Sequence, residues 1–347
     1  MYLGILASTF FIRTIVGYKK SFQILSYWLI FIFFFVFAAF RYEVGCDWFG
    51  YELQISQFDW VQLSGLTSIR EPLWVGLILW MRQYDIQYFW INVISSGIFF
   101  FGVHMLARHQ PNRLAFIVLL FPILIINMPM SGIKQAAAIG IMCIAYIGFM
   151  RQKLAWYIIS VIVASMVHSS SVIFALLVPF VRKKFSLKNL LYGLILIFPG
   201  LGLLSSTSSF QILVVRYFTN PLGDEAAGAV YRTGILALTA AHFFIFLKRP
   251  WNKFFPNDYS LAALGSLLMF LPLLLVPFSG VAADRVAYFL IPIQAIVFAR
   301  IPYLKLRYTR GLHIFYPYIV LLFVFSVWIS FSSLFDQCYR PYRNILI

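Results

Sequence analysis

The sequence has few charged residues and very few acidic ones. Only 11% of its 347 residues are charged, and Lys and Arg outnumber Asp and Glu by 27 to 11. Hydrophobic residues make up 62% of the chain, whereas an ordinary soluble domain is about 45–50% apolar and about 25% charged. Such a composition cannot cover a water-soluble surface. It excludes a cytosolic enzyme, a secreted disulfide scaffold and a disordered chain.

Cysteines and metal-binding motifs are scarce as well. Cys46, Cys143 and Cys338 have no spacing typical of a disulfide framework, although Cys46 and Cys338 could share an exposed face. The sequence contains no HExxH, CxxC or carboxylate-rich metal motif, so we predict that the protein uses no metal and no cofactor. It also lacks a clear internal repeat, which argues against a transporter built from inverted repeats.

Long apolar segments recur from one end of the chain to the other. They number about 12, and helices of this kind span bilayers. We therefore predict an all-α fold, a polytopic transmembrane helical bundle that forms one integral membrane domain over residues 1–347, with no soluble domain. The lipid bilayer is then a partner, and the net charge of +16 needs no nucleic acid to explain it. The predicted segments are 2–16, 22–40, 72–82, 86–107, 114–129, 132–149, 154–181, 189–205, 229–247, 259–278, 286–303 and 313–334.

The distribution of Lys and Arg predicts the orientation of these segments. Basic clusters favour cytoplasmic loops, whereas loops poor in Lys and Arg face outward. On this rule the loops at about 41–71 and 206–228 are external. The clusters assigned to the cytoplasm are Lys19–Lys20, Arg182–Lys184, Lys248–Lys253 and Lys305–Arg310.

Two apolar segments create a conflict with this orientation. If 86–107 and 154–181 each crossed once, the basic residues that follow 107 and those near 151 would lie outside. Small polar stretches at Ser95–Gly97 and Ser169–Ser171 would let the chain turn back there as pairs of half-helices. Re-entrant backbone of this kind is tolerated only where protein or a water-filled cavity covers it. The second break would leave His168 near the external face.

Ionisable residues near the membrane are costly, and each one is a candidate for function. Arg41 follows the second segment and would either extend to the interface or contribute to a site. Lys134 opens an apolar helix, and His168 lies at a polar break; each has a structural alternative, as an interfacial or a core residue. Asp284 precedes a predicted helix, where it would cap the helix and pair with Arg285, or serve a site.

Together these stretches resemble the EpsG-like branch of the Wzy-type polysaccharide polymerases, which are bacterial integral membrane enzymes. The resemblance covers residues from about 22 to 300 in the right order. This chain has Lys134 where the family usually has Arg, and Lys supplies the charge without the planar bidentate fork. The motifs are Arg41…Gly45-x-Asp47-x3-Tyr51, Glu71-Pro72-Leu73, Lys134-Gln135-Ala136-Ala137-Ala138, His168-Ser-Ser-Ser and Arg285-x2-Tyr288.

The resemblance implies a reaction at the external face of the bacterial cytoplasmic (inner) membrane. A glycan would move from an undecaprenyl-diphosphate carrier to the terminal sugar of another lipid-linked repeat unit, giving O-antigen, capsule or exopolysaccharide without a metal. A chain-length regulator protein stays open as a further partner. His168 and Asp47 would be catalytic, with His168 as the preferred base and Asp47 or Glu71 as alternatives. The residues expected to bind diphosphate or glycan are Arg41, Tyr51, Glu71, Lys134, Gln135, Arg285 and Tyr288.

This chemistry matches the residue types. The leaving lipid diphosphate accumulates negative charge, which cationic side chains stabilise in a partly desolvated site. The acceptor hydroxyl must lose a proton, and a histidine with an ordinary pKa near neutrality suits that role. A lipid-linked oligosaccharide flippase or other transporter and an O-antigen ligase remain as alternatives. A membrane acyltransferase would carry its own acidic–His pattern, and a structural subunit leaves the clustered charges unexplained.

Overall fold

The computed structural model describes residues 1–15, 20–57, 71–183, 185–186, 188–189, 191, 228–306 and 310–346. The chain divides into two compact units: unit 1 comprises Met1–Ile144, Ser160–Val172 and Gly311–Ile347, and unit 2 comprises Ala145–Ile159 and Ile173–Arg310. Nearly all of the predicted external loop 206–228 and most of the apolar segment 189–205 lie outside the described residues. The single membrane domain predicted over 1–347 stays a prediction.

Most of the described residues belong to helices, as the apolar segments predict. One isolated bridge pairs Arg41 with Asn344. Phe121–Ile125 and Phe243–Leu247 form π-helical turns, and a 3₁₀ helix covers Ser169–Phe180. In chain order the α-helices are α1 Tyr2–Ile15, α2 Lys20–Ala39, α3 Trp48–Gln57, α4 Pro72–Gln83, α5 Phe89–Ala107, α6 Arg113–Leu120, α7 Ile133–Met150, α8 Leu154–Val167, α9 Ala229–His242, α10 Lys248–Phe254, α11 Tyr259–Leu268, α12 Phe270–Leu275, α13 Gly280–Arg300, α14 Arg310–Phe331 and α15 Ser333–Tyr339.

Six helices among the described residues are long and apolar enough to cross a membrane. Several of them expose large apolar side chains: Leu29 is 61% exposed on α2 and Phe323 67% exposed on α14. Such faces suit contact with lipid. The helical membrane class predicted from the sequence is confirmed, while the number of about 12 segments stays a prediction. The six spans are Ser21–Ala39, Phe89–Ala107, Ile133–Met150, Ala229–Phe254, Gly280–Tyr303 and Gly311–Phe331.

The predicted break at Ser95–Gly97 is wrong, because α5 runs through it without interruption. Ser95 and Ser96 are buried in unit 1, where small residues allow helices to approach closely. Nearly two turns further along α5, a Cβ added to Gly102 would lie 1.8 Å from the carbonyl oxygen of Gly140. Gly102 therefore serves close packing against α7, and Ser95–Gly97 continue the helix rather than turn the chain.

The second predicted break coincides with a change of helix type. The α-helix α8 ends at Val167, and the 3₁₀ helix begins at Ser169. His168 is the single residue between them, and its backbone N–H still bonds to the carbonyl oxygen of Ala164 at 2.8 Å. The helical interruption expected at this position is confirmed, and a reversal of the chain there stays a prediction.

The helix that follows the predicted external loop 41–71 is too short to cross a bilayer. Helix α4 has 12 residues, so its length is about 18 Å, compared with about 30 Å for the hydrocarbon core. Pro72 occupies its first turn, after Glu71 in a left-handed conformation with φ 61°. If α4 does not cross, a single crossing by the continuous α5 carries Arg108 to the opposite side from Glu71. The charge conflict found in the sequence then needs no break in α5.

Unit 2 contains buried polar pairs between its helices. The Tyr146 hydroxyl donates to the carbonyl oxygen of Phe289 at 2.8 Å, and the Gln294 amide donates to the Thr239 hydroxyl at 2.7 Å. Arg300, which is 1% exposed, pairs with Asp258. Buried polar groups that are bonded in this way rigidify and specify a core.

Candidate functional site

Glu71 is the centre of a cluster of polar side chains in unit 1. Its oxygen Oε2 lies 2.7 Å from Lys134 Nζ, and its oxygen Oε1 lies 3.0 Å from His168 Nδ1. Oε1 also accepts hydrogen bonds from the backbone N–H of Ser169 at 2.8 Å and from its hydroxyl at 3.0 Å. We call these four residues, Glu71, Lys134, His168 and Ser169, the Glu71 cluster. It joins residues that are 97 or 98 positions apart in the sequence.

His168 is held in a fixed orientation within this cluster. Its side chain is 7% exposed. Because ionised Glu71 can only accept, the imidazole nitrogen Nδ1 must carry the hydrogen. Neutral His168 in that tautomer has its lone pair on Nε2, the nitrogen on the other side of the ring.

Lys134 lies in the first turn of α7, at an unfavourable position for a cation. The N-terminus of a helix carries partial positive charge, so the carboxylate of Glu71 offsets both the dipole and the ammonium charge. The Lys134 side chain is 24% exposed, and Tyr51 on α3 is buried, with its ring centre 5.6 Å from that of Trp74 on α4. Gln135, the next residue, is buried at 6% exposure.

The environment of Glu71 keeps its carboxylate ionised. Burial alone would raise the pKa of this carboxyl group. The hydrogen bond from His168, the charge and hydrogen bond of Lys134 and the backbone N–H of Ser169 outweigh burial, and they hold the pKa of Glu71 well below its usual range. A carboxylate with so low a pKa is a weak proton acceptor, which bears on its predicted alternative role as a general base.

Asp47 belongs to a loop that packs against the turn before α7. The Ser131 hydroxyl lies 3.4 Å from Asp47 Oδ2 and accepts a hydrogen bond from the backbone N–H of Cys46 at 3.0 Å. Gly45 has φ 101°, and a Cβ there would lie 1.8 Å from the carbonyl oxygen of Met130. The motif Gly45-x-Asp47 therefore allows a close approach of two backbones, and Asp47 is exposed beside it.

Arg41 is buried at the start of the same loop. Its guanidinium donates hydrogen bonds to the carbonyl oxygens of Ala38 and Val44 at 2.8 and 2.9 Å and to the Asn92 side chain at 3.0 Å. At 1% exposure it holds the end of α2, the loop and α5 together. Its predicted contact with diphosphate stays a prediction.

A disulfide attaches the C-terminal segment to this loop. Cys46 is bonded to Cys338 across a sequence separation of 292, so these two cysteines, which the sequence suggested could share an exposed face, are paired although no spacing pattern predicted it. An odd number of cysteines with irregular spacing does not predict this pair, because only the tertiary structure brings the two residues together. Backbone hydrogen bonds reinforce the attachment, from Gly45 to Cys338 at 2.7 Å and from Tyr42 to Arg343 at 3.0 Å. Cys143 is buried and not bonded to another cysteine.

The remaining predicted site residues lie in unit 2. Asp284 does not cap a helix, because α13 begins earlier, at Gly280, and the Ser279 side chain caps it. Asp284 instead accepts two hydrogen bonds from Arg232, at 2.6 and 2.7 Å, and the Arg232 guanidinium lies 5.5 Å from the centre of the Tyr288 ring. The expected Asp284–Arg285 pair is thus replaced by a pair between α9 and α13. Arg285 is partly exposed.

The comparison with known families agrees with the resemblance seen in the motifs. The sequence model of the EpsG family matches residues 24–344, which is nearly the whole chain. The chain belongs to the EpsG family. The matched range includes every site residue predicted from the sequence. Nothing among curated proteins or solved structures matches the chain.

This EpsG-family chain also has polar residues in and around its site that the sequence did not reveal. Ser131, Asn92 and Arg232 were not singled out in the sequence, and Ser169 was seen only in the polar break and in the motif that begins at His168. In the fold, Ser131 contacts Asp47 and Asn92 contacts Arg41. Arg232 pairs with Asp284, and Ser169 donates to Glu71. No group of three or more His, Cys, Asp and Glu suited to a metal ion occurs in the part of the chain that the structure describes.

Proposed function

We propose that this EpsG-family membrane protein is a polysaccharide polymerase. It transfers a glycan from an undecaprenyl-diphosphate carrier to the terminal sugar of another lipid-linked repeat unit. The family is associated with polymerases of the glycosyltransferase type. The observation that carries the proposal is the Glu71 cluster, which combines a cation with an oriented imidazole.

The proposed reaction assigns a separate task to each of these two groups. The acceptor hydroxyl oxygen attacks the anomeric carbon and forms the new glycosidic bond, and its proton passes to Nε2 of His168. The bond between the anomeric carbon and the diphosphate breaks, and the lipid diphosphate leaves with the electron pair. Lys134 stabilises the charge that develops there. Asp47 is the alternative proton acceptor.

The lengths of the helices support a site at the external face, recessed into the membrane. Helix α8 has 14 residues, about 21 Å, so a helix that starts at the cytoplasmic surface brings His168 only part of the way across. The Cys46–Cys338 disulfide supports the same side for the Asp47 loop, because disulfides persist in oxidising compartments. We therefore place the site at the outer side of a bacterial cytoplasmic membrane.

The other predicted residues have supporting parts in this proposal. Tyr51 and Gln135 shape the wall around Lys134. Arg41 acts on the loop that presents Asp47, and Arg285 with Tyr288 supplies a second set of contacts for diphosphate or glycan. A chain-length regulator would act as a partner that limits the number of transfers.

A lipid-linked oligosaccharide flippase and an O-antigen ligase are the rival functions. Deletion of the gene separates the three by the surface glycan of the cell. Loss of a polymerase leaves single repeat units attached, loss of a flippase leaves none exported, and loss of a ligase leaves unattached polymer. Attached single units are the result that we expect.

A substitution at His168 tests the proposed chemistry. His168→Gln should reduce polymer formation by about 10²- to 10⁴-fold, which is the usual contribution of a general base. The control is His109→Gln, whose ring nitrogen Nδ1 lies 2.9 Å from the carbonyl oxygen of Met105, four residues earlier in the chain. Near-normal polymer from His168→Gln at normal expression would remove His168 from the mechanism and favour Asp47.

A further inference from the structure

The arrangement around Glu71 points to a role that differs from both roles expected of it from the sequence. Its oxygen Oε1 is in contact with three donors, His168 Nδ1 and the N–H and hydroxyl of Ser169, and Oε2 is in contact with the ammonium group of Lys134. Its side chain is 13% exposed. The carboxylate oxygens in these surroundings already accept hydrogen bonds from protein donors. A residue that binds substrate directly must instead have groups that contact the substrate.

We propose that Glu71 is a positioning residue, which fixes His168 and Lys134 relative to each other. This inference rests on the proposed function. Glu71 holds the hydrogen of the neutral imidazole on Nδ1, so that the lone pair lies on Nε2, and it stabilises the imidazolium that forms when Nε2 takes the proton. Through its other oxygen it keeps the Lys134 ammonium group on the same side of the site.

The backbone of Glu71 suits such a role. It adopts φ 61° directly before Pro72, a conformation that non-glycine residues adopt rarely. Proline fixes its own φ and restricts the residue before it. The carboxylate therefore projects from a stiff junction at the start of α4, while its partners come from α7 and from the boundary between α8 and the 3₁₀ helix. One side chain thus links three segments of unit 1.

A double-mutant cycle separates positioning from substrate binding. The variants Glu71→Gln, His168→Gln and the double variant are purified in vesicles and supplied with lipid-linked repeat units extracted from cells that lack this protein. Initial rates of polymer formation over a range of substrate concentrations give kcat and KM. Glu52→Gln, an exposed carboxylate on α3, is the matched control and should behave like the parent protein.

Positioning predicts a specific pattern in these rates. Glu71→Gln should lower kcat by about 10²- to 10⁴-fold with little change in KM, because an amide can donate to Nδ1 and favour the wrong tautomer. In the His168→Gln background the same change should cost much less, since groups that act as a unit are not additive and only the effect through Lys134 remains. Losses that multiply, or a change confined to KM, would overturn the proposal.

A substitute variant and the rate of His168→Gln alone make the outcome of the cycle interpretable. If Glu71→Gln does not accumulate, Glu71→Asp takes its place in the cycle. Asp keeps the charge but shortens the reach, so positioning predicts a loss of kcat, and binding by charge alone predicts parental rates. The His168→Gln variant by itself reports on the proposed function. If it polymerises normally, His168 leaves the mechanism and Asp47 becomes the proposed base, whereas an additive cycle with a strongly slowed His168→Gln refutes only the role of Glu71.

Discussion

Replacement of Gly45 by alanine should disable the loop that carries Asp47. The added Cβ would lie 1.8 Å from the carbonyl oxygen of Met130 and 3.0 Å from the Cα of Ser131. Both of those atoms belong to backbone, so no flexible side chain can give way, and the loop must move by more than an ångström. Gly45 also has φ 101°, which is costly for any residue with a Cβ.

The magnitude of this effect follows from what the loop loses. A left-handed conformation costs alanine about 1–2 kcal/mol. Displacement of the loop also breaks the hydrogen bonds from Gly45 to Cys338 and from Cys46 to Ser131, each worth about 0.5–1.5 kcal/mol. The free energy of unfolding should therefore fall by about 2–5 kcal/mol. Polymer formation should fall too, because Asp47 moves away from Ser131.

Gly50→Ala is the control, since a Cβ at Gly50 meets nothing within 4 Å. It lies in α3, where alanine is the better helix former by about 1 kcal/mol. Thermal unfolding in detergent compares the stability of the two variants with that of the parent protein, and the length of surface polymer in cells compares their activity. Equal stability and equal polymer for Gly45→Ala and Gly50→Ala would refute the close approach of the two backbones.

Two further predictions concern the packing of unit 1 and its disulfide. Gly102→Ala should destabilise the protein by about 1–3 kcal/mol in thermal unfolding, because the added methyl group overpacks against Gly140. Gly97→Ala is the control and should not destabilise it, because a Cβ there meets open space. Equal effects would contradict the α5–α7 contact. In intact cells, a membrane-impermeant thiol reagent should label Cys46 and Cys338 only after an impermeant reductant is added. Labelling without reductant would argue against the disulfide, and no labelling after it would argue against the external position.

The sequence by itself determined the class of the protein and most of its helices. Membrane helices satisfy their backbone hydrogen bonds internally, and their side chains are apolar whether they face lipid or other helices. Composition and the length of apolar runs therefore locate these helices without tertiary information. For this reason the segments 22–40, 86–107 and 132–149 correspond closely to α2, α5 and α7. The ordered motifs were also sufficient for the family.

The sequence was less informative where one residue type has several uses. Ser95–Gly97 suggested a break, but small residues are equally common within continuous membrane helices, and α5 runs through them without interruption. Asp284 suggested a helix cap, but α13 begins a turn earlier, and the carboxylate pairs with Arg232 on another helix.

The site itself was decided by tertiary structure. Glu71, Lys134 and His168 were each noted as polar residues in the sequence, yet their association depends on contacts across 63 and 97 positions. The same is true of the Cys46–Cys338 bond. Local sequence determines whether a segment is helical, because helical hydrogen bonds join residues four apart. Which side chains meet at the ends of those helices depends on packing between distant segments, and no local pattern records it.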